Sequence, residues 1–301
     1  MRMKRREDMG DIFQLVINFA IVAVMFFIIA TFRYYKKRPK GVKNIDSTRE
    51  VKKIANIKED EINSKKVYII ENKNETNPKA TIIYLHGGAY VGGITNRHWN
   101  FINKLVSDTK LKIIFPDYPL APKHTYQEVF NMLEEVYDKY KNEDNLIFMG
   151  DSAGGALSLA LAQKLALENK KQPAKLILIS PWLDISLKNE KIAEKEKEDK
   201  VLKRSVLKLA AEMYSNKTDY ENYLLSPING EIDKIKNVTI FTGTSDMLNP
   251  DVHILKEKFD KQKNNQLKVI EKEKATHNWI IEDMNAKEDY LALVKEILDF
   301  S

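Results

Sequence analysis

Three short stretches of this chain hold the residue types that acyl transfer needs. The first is Gly150-Asp151-Ser152-Ala153-Gly154-Gly155. A serine hydroxyl is a weak nucleophile until a base takes its proton, and it must stand clear of the backbone to reach a carbonyl carbon. A sharp turn between small residues achieves this, because glycines at 150 and 154 let the flanking segments approach closely. The apolar run 145–149 precedes the motif and a helical pattern opens at Ala153, so the order is strand, tight turn, helix. In other surroundings Ser152 would only cap a helix. Its position after a strand favours the nucleophile.

The second stretch, His86-Gly87-Gly88-Ala89-Tyr90, directly follows the apolar run 81–85. Attack on an acyl group builds negative charge on the carbonyl oxygen, and preorganised amides stabilise it. Glycines let the backbone turn its N–H groups inward. Gly87, Gly88 and Ala89, with Ala153 after the nucleophile, are therefore the candidate oxyanion-hole residues. The plainer reading is a Gly-rich loop at a strand end, with His86 as a hydrogen-bonded structural histidine.

The third is the base and its acid. Five histidines compete: His86, His98, His124, His253 and His277. In folds that place Ser on a strand-to-helix turn, the chain order is Ser, acid, His, and only His277 lies beyond the last strand. His253 falls in a helical pattern, and His124 suits a loop beside the Pro-containing stretch 117–123. Asp246 follows the run 238–241 through Thr242-Gly243-Thr244-Ser245, the required strand-end location. Asp251 on the same loop is the runner-up acid. The predicted catalytic set is Ser152, Asp246 and His277.

These residues need a scaffold that brings strand ends together. Apolar runs at 65–71, 81–85, 112–115, 145–149, 175–179, 238–241 and 267–270 alternate with helical patterns at 99–110, 126–141, 153–169, 252–264 and 287–300. Such alternation predicts an α/β fold with a mostly parallel central sheet flanked by helices. A short helix is expected over 48–60. In parallel sheets chemistry gathers at the carboxyl ends of the strands, where every motif above falls.

The 301 residues, 43% of them hydrophobic, can bury one sizeable core. The chain has no cysteine, which excludes a thiolate nucleophile and a cysteine metal site. Its formal charge of +6 is local: residues 1–43 hold ten Lys/Arg against three Asp/Glu, leaving −1 for the remainder. That distribution argues against a nucleic-acid partner. After a basic tail at 1–11, residues 12–32 form twenty-one uncharged positions without Pro or Gly. As a helix the run spans roughly 30 Å, the thickness of a bilayer's hydrocarbon core. A transmembrane anchor is expected there, making the protein a single-pass membrane protein. A cleaved signal has a shorter apolar region and a small-residue cleavage site, and this run ends in bulky aromatic and basic residues. Basic residues flank it on both sides, with a small margin toward a cytoplasmic catalytic domain, so the side stays open.

Taken together, the motifs resemble the hormone-sensitive lipase-like group of α/β-hydrolases, which includes bacterial carboxylesterases and arylacetamide deacetylase-like enzymes. The likeness runs from about residue 67 to 281. It rests on His86-Gly87-Gly88-Ala89, Asp117-Tyr118-Pro119-Leu120-Ala121-Pro122, the Gly-Asp-Ser-Ala-Gly-Gly turn, Ser180-Pro181-Trp182-Leu183-Asp184 and Ser226-Pro227. The resemblance implies the triad above, amide donors at Gly88, Ala89 and Ala153, and a helical cap. Three positions depart from the family pattern: Ala89 for a third glycine, Asn278-Trp279 for Gly-Phe, and Met247 for proline.

By the same resemblance, residues 33–66 are a juxtamembrane linker with an N-terminal cap segment. Residues 67–301 are the hydrolase domain, with a cap insertion at about 187–236. Charges of both signs at 190–200 read as a solvated helix face. Leu202, Val206, Leu209 and Met213 recur at helical spacing, which favours core packing over an acyl-chain groove. The expected activity is hydrolysis of carboxylic esters of short to medium acyl chain or lipid-like character, with neither metal nor organic cofactor. An amidase, peptidase or deacetylase sharing the triad is the alternative, and a non-catalytic membrane scaffold is a weaker one.

Overall fold

A computed structural model describes residues 47–262, 267–283 and 286–300. The chain divides into two units, 1–45 and 46–301. The expected basic tail, the anchor at 12–32 and the first part of the linker lie outside the described residues. Among the described residues, no helix is long and apolar enough to cross a membrane.

Eight strands form one sheet: β1 (Ala55–Ile62), β2 (Lys65–Asn72), β3 (Thr81–Leu85), β4 (Lys112–Pro116), β5 (Leu146–Asp151), β6 (Lys175–Ile179), β7 (Val238–Gly243) and β8 (Leu267–Lys272), ordered β1-β2-β4-β3-β5-β6-β7-β8. From β4 to β8 all pairings are parallel, and β2 alone runs against the others. β3, β5 and β7 are buried along their whole length, which is why they read as continuous apolar runs. Strand periodicity still divides their side chains between two cores. Ile83, Leu85, Phe148 and Leu178 pack on α3 (Tyr126–Tyr140) and α4 (Ala153–Leu167). Ile82, Tyr84, Met149 and Ile177 pack with α2 (Asn96–Thr109) and α9 (Lys287–Leu298) on the other face.

The helix expected over 48–60 divides in two. α1 covers Ser47–Ile54, and β1 then pairs antiparallel with β2 from Ala55↔Asn72 to Ile62↔Lys65. Asn63 and Ser64 both have positive φ, 51° and 59°, as a tight two-residue hairpin turn requires. β1 is an edge strand, so its charged residues face solvent or pair across the ladder, as Glu59 does with Lys66 at 2.7 Å. A strand of that composition carries no apolar alternation to betray it.

Between β6 and β7 the insertion holds α5 (Glu190–Lys195), α6 (Arg204–Ser215) and a 3-10 turn at Pro227–Asn229. The face of α6 that enters the core is Leu207, Ala210, Ala211 and Tyr214, while Leu202, Val206, Leu209 and Met213 are only half-buried. Two alanines let α6 approach closely, and the Tyr214 ring lies flat on Tyr90 at 3.9 Å between centroids. Trp182 stacks on Tyr90 as well, at 5.5 Å.

Among the described residues, the buried Tyr214 hydroxyl has no hydrogen-bond partner. Tyr214→Phe keeps the stacked ring and removes that desolvated group, so its unfolding free energy in urea should equal or exceed the parent's by up to about 3 kcal/mol. Tyr214→Ala should lose about 3–5 kcal/mol. A Phe variant clearly less stable than the parent would show that the hydroxyl does find a partner.

Candidate active site

β5 runs into α4 through one residue, Ser152, whose φ of 51° and ψ of −118° lie outside the regions that side chains favour. Surrounding bonds hold it there: Ser152 N–H donates to the Ile179 carbonyl at 2.8 Å, and Trp182 N–H donates to the Ser152 carbonyl at 3.0 Å. Both come from the end of β6. Gly154 faces the end of β3 so closely that a Cβ there would sit 1.9 Å from the Leu85 carbonyl oxygen. The glycine is thus required by close approach, as the motif implies.

Ser152 Oγ lies 2.9 Å from His277 Nε2, and His277 Nδ1 lies 2.8 Å from Asp246 Oδ2. Asp246 is 0% exposed and His277 4%. With Nδ1–H directed at the carboxylate, Nε2 is left as acceptor for the serine hydroxyl. The second oxygen of Asp246 accepts the Leu248 N–H at 2.9 Å. Burial works to lower the pKa of His277, but the charge and hydrogen bond of Asp246, with smaller contributions from Asp199 and Asp151, outweigh it and raise the value above that of a free imidazole.

Asp251, the runner-up acid, accepts instead from Asn189 Nδ2 at 2.8 Å, and burial pushes its pKa up to about 6. The other histidines lie away from Ser152 Oγ in their bonding. His86 stacks on Tyr118 at 4.2 Å, and burial first, then His98, brings its pKa down to about 4. His98 accepts the Thr95 N–H at the start of α2. His124 faces Glu128 at 3.6 Å, and His253 pairs with Glu271.

The loop after β3 has three successive residues with positive φ: Gly88 at 125°, Ala89 at 52° and Tyr90 at 63°. Tyr118 Oη donates to the His86 carbonyl at 2.6 Å and Ala121 N–H to the Tyr90 carbonyl at 2.9 Å, so the Asp-Tyr-x-Leu-Ala-Pro segment braces the loop. One expectation changes. Gly87 N–H donates to Asp151 Oδ1 at 2.9 Å and is not free to meet an oxyanion. Among the described residues, the N–H groups of Gly88, Ala89 and Ala153 have no such acceptor.

Asp151 is a hub that sequence reasoning passed over. The carboxylate also accepts from Tyr84 Oη at 2.7 Å and Asn278 Nδ2 at 2.8 Å, with His98 Nε2 at 3.7 Å. Burial opposes ionisation of Asp151, yet His98 and these donors together hold its pKa below the ordinary carboxylate value. Asn278 is left-handed, φ 56° and ψ 27°, and its N–H reaches Ser180 Oγ at 3.1 Å. Asparagine tolerates that conformation, and the neighbouring His277 reaches both Asp246 and Ser152. An asparagine at a position suited to glycine was the available signal. Among the described residues, no His, Asp or Glu cluster could hold a metal ion.

With this geometry in place, the comparisons with known proteins converge on one class. The model of the alpha/beta hydrolase fold family matches residues 82–281, so the chain belongs to that family. The likeness to its hormone-sensitive lipase-like group holds as well. An esterase of Acinetobacter venetianus is 31% identical over 194 residues, 62% of this chain and 64% of that protein. A crystal structure of an esterase candidate from Staphylococcus aureus superposes with a TM-score of 0.78 at 25% identity, covering 90% of both chains. An esterase of the bacterial hormone-sensitive lipase family shares the fold at 18% identity and TM-score 0.76, covering 90% of this chain and 94% of that one. The match covers less than two thirds of the Acinetobacter protein's own length.

Asn278→Gly isolates the bond to Asp151, because glycine adopts the same backbone conformation freely. Losing a hydrogen bond to a buried charged group should lower stability by about 1.5–3 kcal/mol, read from urea unfolding. Unchanged stability would show the bond to be net neutral.

Proposed function

We propose that the chain is a carboxylic ester hydrolase that works through an acyl-enzyme intermediate on Ser152. The observation that carries this reading is the continuous bond path from Ser152 Oγ through His277 to Asp246, beside free amides at Gly88, Ala89 and Ala153. The esterase relatives support it.

As Ser152 Oγ bonds to the carbonyl carbon, His277 Nε2 takes the hydroxyl proton. Negative charge moves onto the carbonyl oxygen, where the three amides receive it. His277 then passes the proton to the leaving alkoxide as the carbon–oxygen bond breaks. Water repeats the cycle on the acyl group and restores the serine. Asp246 holds the imidazole tautomer and stabilises the imidazolium formed at each step.

The insertion between β6 and β7 acts as a cap over this site, supported by its contact with Tyr90 of the oxyanion loop. Substrates are esters of short to medium acyl chain. Lipid-like esters extend that class through the membrane anchor at 12–32, while Leu202 and Met213 pack against the core. Residues 12–32 anchor the enzyme in a membrane, supported by twenty-one uncharged positions between basic flanks. In alkaline carbonate the full chain should sediment with membranes, and the chain from residue 47 should stay in the supernatant; a soluble full chain would remove the anchor.

A p-nitrophenyl ester series tests the chemistry. Ser152→Ala should lose at least about a thousandfold in kcat/KM. His277 must be neutral to accept the proton, and its raised pKa means that activity falls as pH drops through a value above the ordinary imidazole pKa of about 6.5. A wild type inert on every ester, or a Ser152→Ala variant equal to it, overturns the reading. Faster turnover of matched anilides would assign the same triad to amides.

A further inference from the structure

We infer that Asp199, a buried carboxylate of the insertion between β6 and β7, is a positioning residue that grips the loop bearing Asp246 through the Met247 amide and so sets how that carboxylate holds His277. The inference rests on the proposed ester hydrolase reading.

Asp199 is only 3% exposed, and three amides hold it. Oδ1 accepts from Val201 N–H at 2.7 Å and Leu202 N–H at 2.9 Å, a turn closed within the insertion. Oδ2 crosses to the hydrolase core and accepts from Met247 N–H at 2.9 Å. Met247 adjoins Asp246. The consecutive residues 246–248 are thereby divided among three partners: the Asp246 carboxylate takes His277 Nδ1, the Met247 amide goes to Asp199, and the Leu248 amide returns to Asp246. A proline at 247 has no N–H, so this grip depends on the methionine that departs from the family pattern.

Three carboxylates act on the His277 ring. Asp246 from the β7 loop bonds it directly, and the charges of Asp199 and Asp151 add smaller upward contributions to its pKa. Asp151 is already engaged by Tyr84, Gly87, Asn278 and His98. Asp199 has amide partners only and, among the described residues, forms no ion pair. A fixed charge in a buried site stabilises the imidazolium of the transition state without reorganising as the reaction proceeds. Removing it should make His277 both a weaker base and a poorer host for positive charge.

The test is the pH profile of kcat and kcat/KM on p-nitrophenyl butyrate for wild type, Asp199→Asn and Asp199→Glu. Asp199→Asn should lower the alkaline plateau of kcat about tenfold, leave KM within about twofold, and move the acid limb about half a pH unit or more toward lower pH. Asp199→Glu, which keeps the charge, should hold the acid limb near the wild-type value. Where Asp199→Asn does not fold, Asp199→Ser still accepts from the amides of 201 and 202 and replaces it. An Asp199→Asn or Ser variant that keeps the wild-type acid limb overturns the inference, whatever its stability. NMR titration of the His277 ring in the same variants needs no turnover. A wild type inert on esters whose His277 still titrates lower on loss of Asp199 defeats the esterase reading and leaves this coupling standing.

Discussion

The backbone at Ser152 is the constraint from which the rest follows. A serine at φ 51° is strained, and it persists only where neighbouring bonds leave no alternative. Ile179 and Trp182 at the end of β6 bond both of its peptide groups, and Gly154 lets α4 press against the end of β3. The strain turns the Oγ out of the strand and toward His277. It also leaves the Ala153 amide at the first turn of α4, where a helix has N–H groups without intrahelical partners. One local conformation therefore supplies both the nucleophile and an oxyanion donor of the proposed mechanism.

Around that turn the chain accumulates buried negative charge and manages it differently at each place. Asp151 is tied down by a phenol, a backbone amide, a side-chain amide and a histidine. Those bonds spread its charge into structure and give it a bracing function: through Gly87 it fixes the oxyanion loop, and through Asn278 it fixes the histidine loop. Asp246 gives one oxygen to the imidazole. A buried unpaired carboxylate would be costly, and each one here has N–H or O–H donors aimed at it.

Much of this was legible in the residues themselves. The fully buried strands β3, β5 and β7 announced themselves as apolar runs, and the glycine-flanked serine and the chain order of acid and histidine located the triad members that the structure brings within hydrogen-bond reach. What escaped has a common physical reason. β1 is defined by pairing with β2, not by its own charged sequence. Asp199 sits inside a run of mixed charges that reads as a solvated face, and only the fold turns it inward. Gly87 lost its expected role because Asp151, 64 residues further along the chain, takes its N–H. Partnership across long sequence separations leaves no local trace.

The insertion is where these long-range contacts meet. It touches the oxyanion loop through the stack of Tyr214 on Tyr90 and the acid loop through Asp199 on Met247. Trp182, at the start of the same connection, stacks on Tyr90 and bonds the Ser152 carbonyl. One connection thus contacts the turn at Ser152, the loop after β3 and the loop bearing Asp246, which the proposed acyl transfer needs in register. Side chains held through several independent bonds lose little further freedom when the transition state forms. On the proposed reading, in which the insertion caps Ser152, the segment that would select substrate also orders the groups around the serine, and both roles draw on the same contacts.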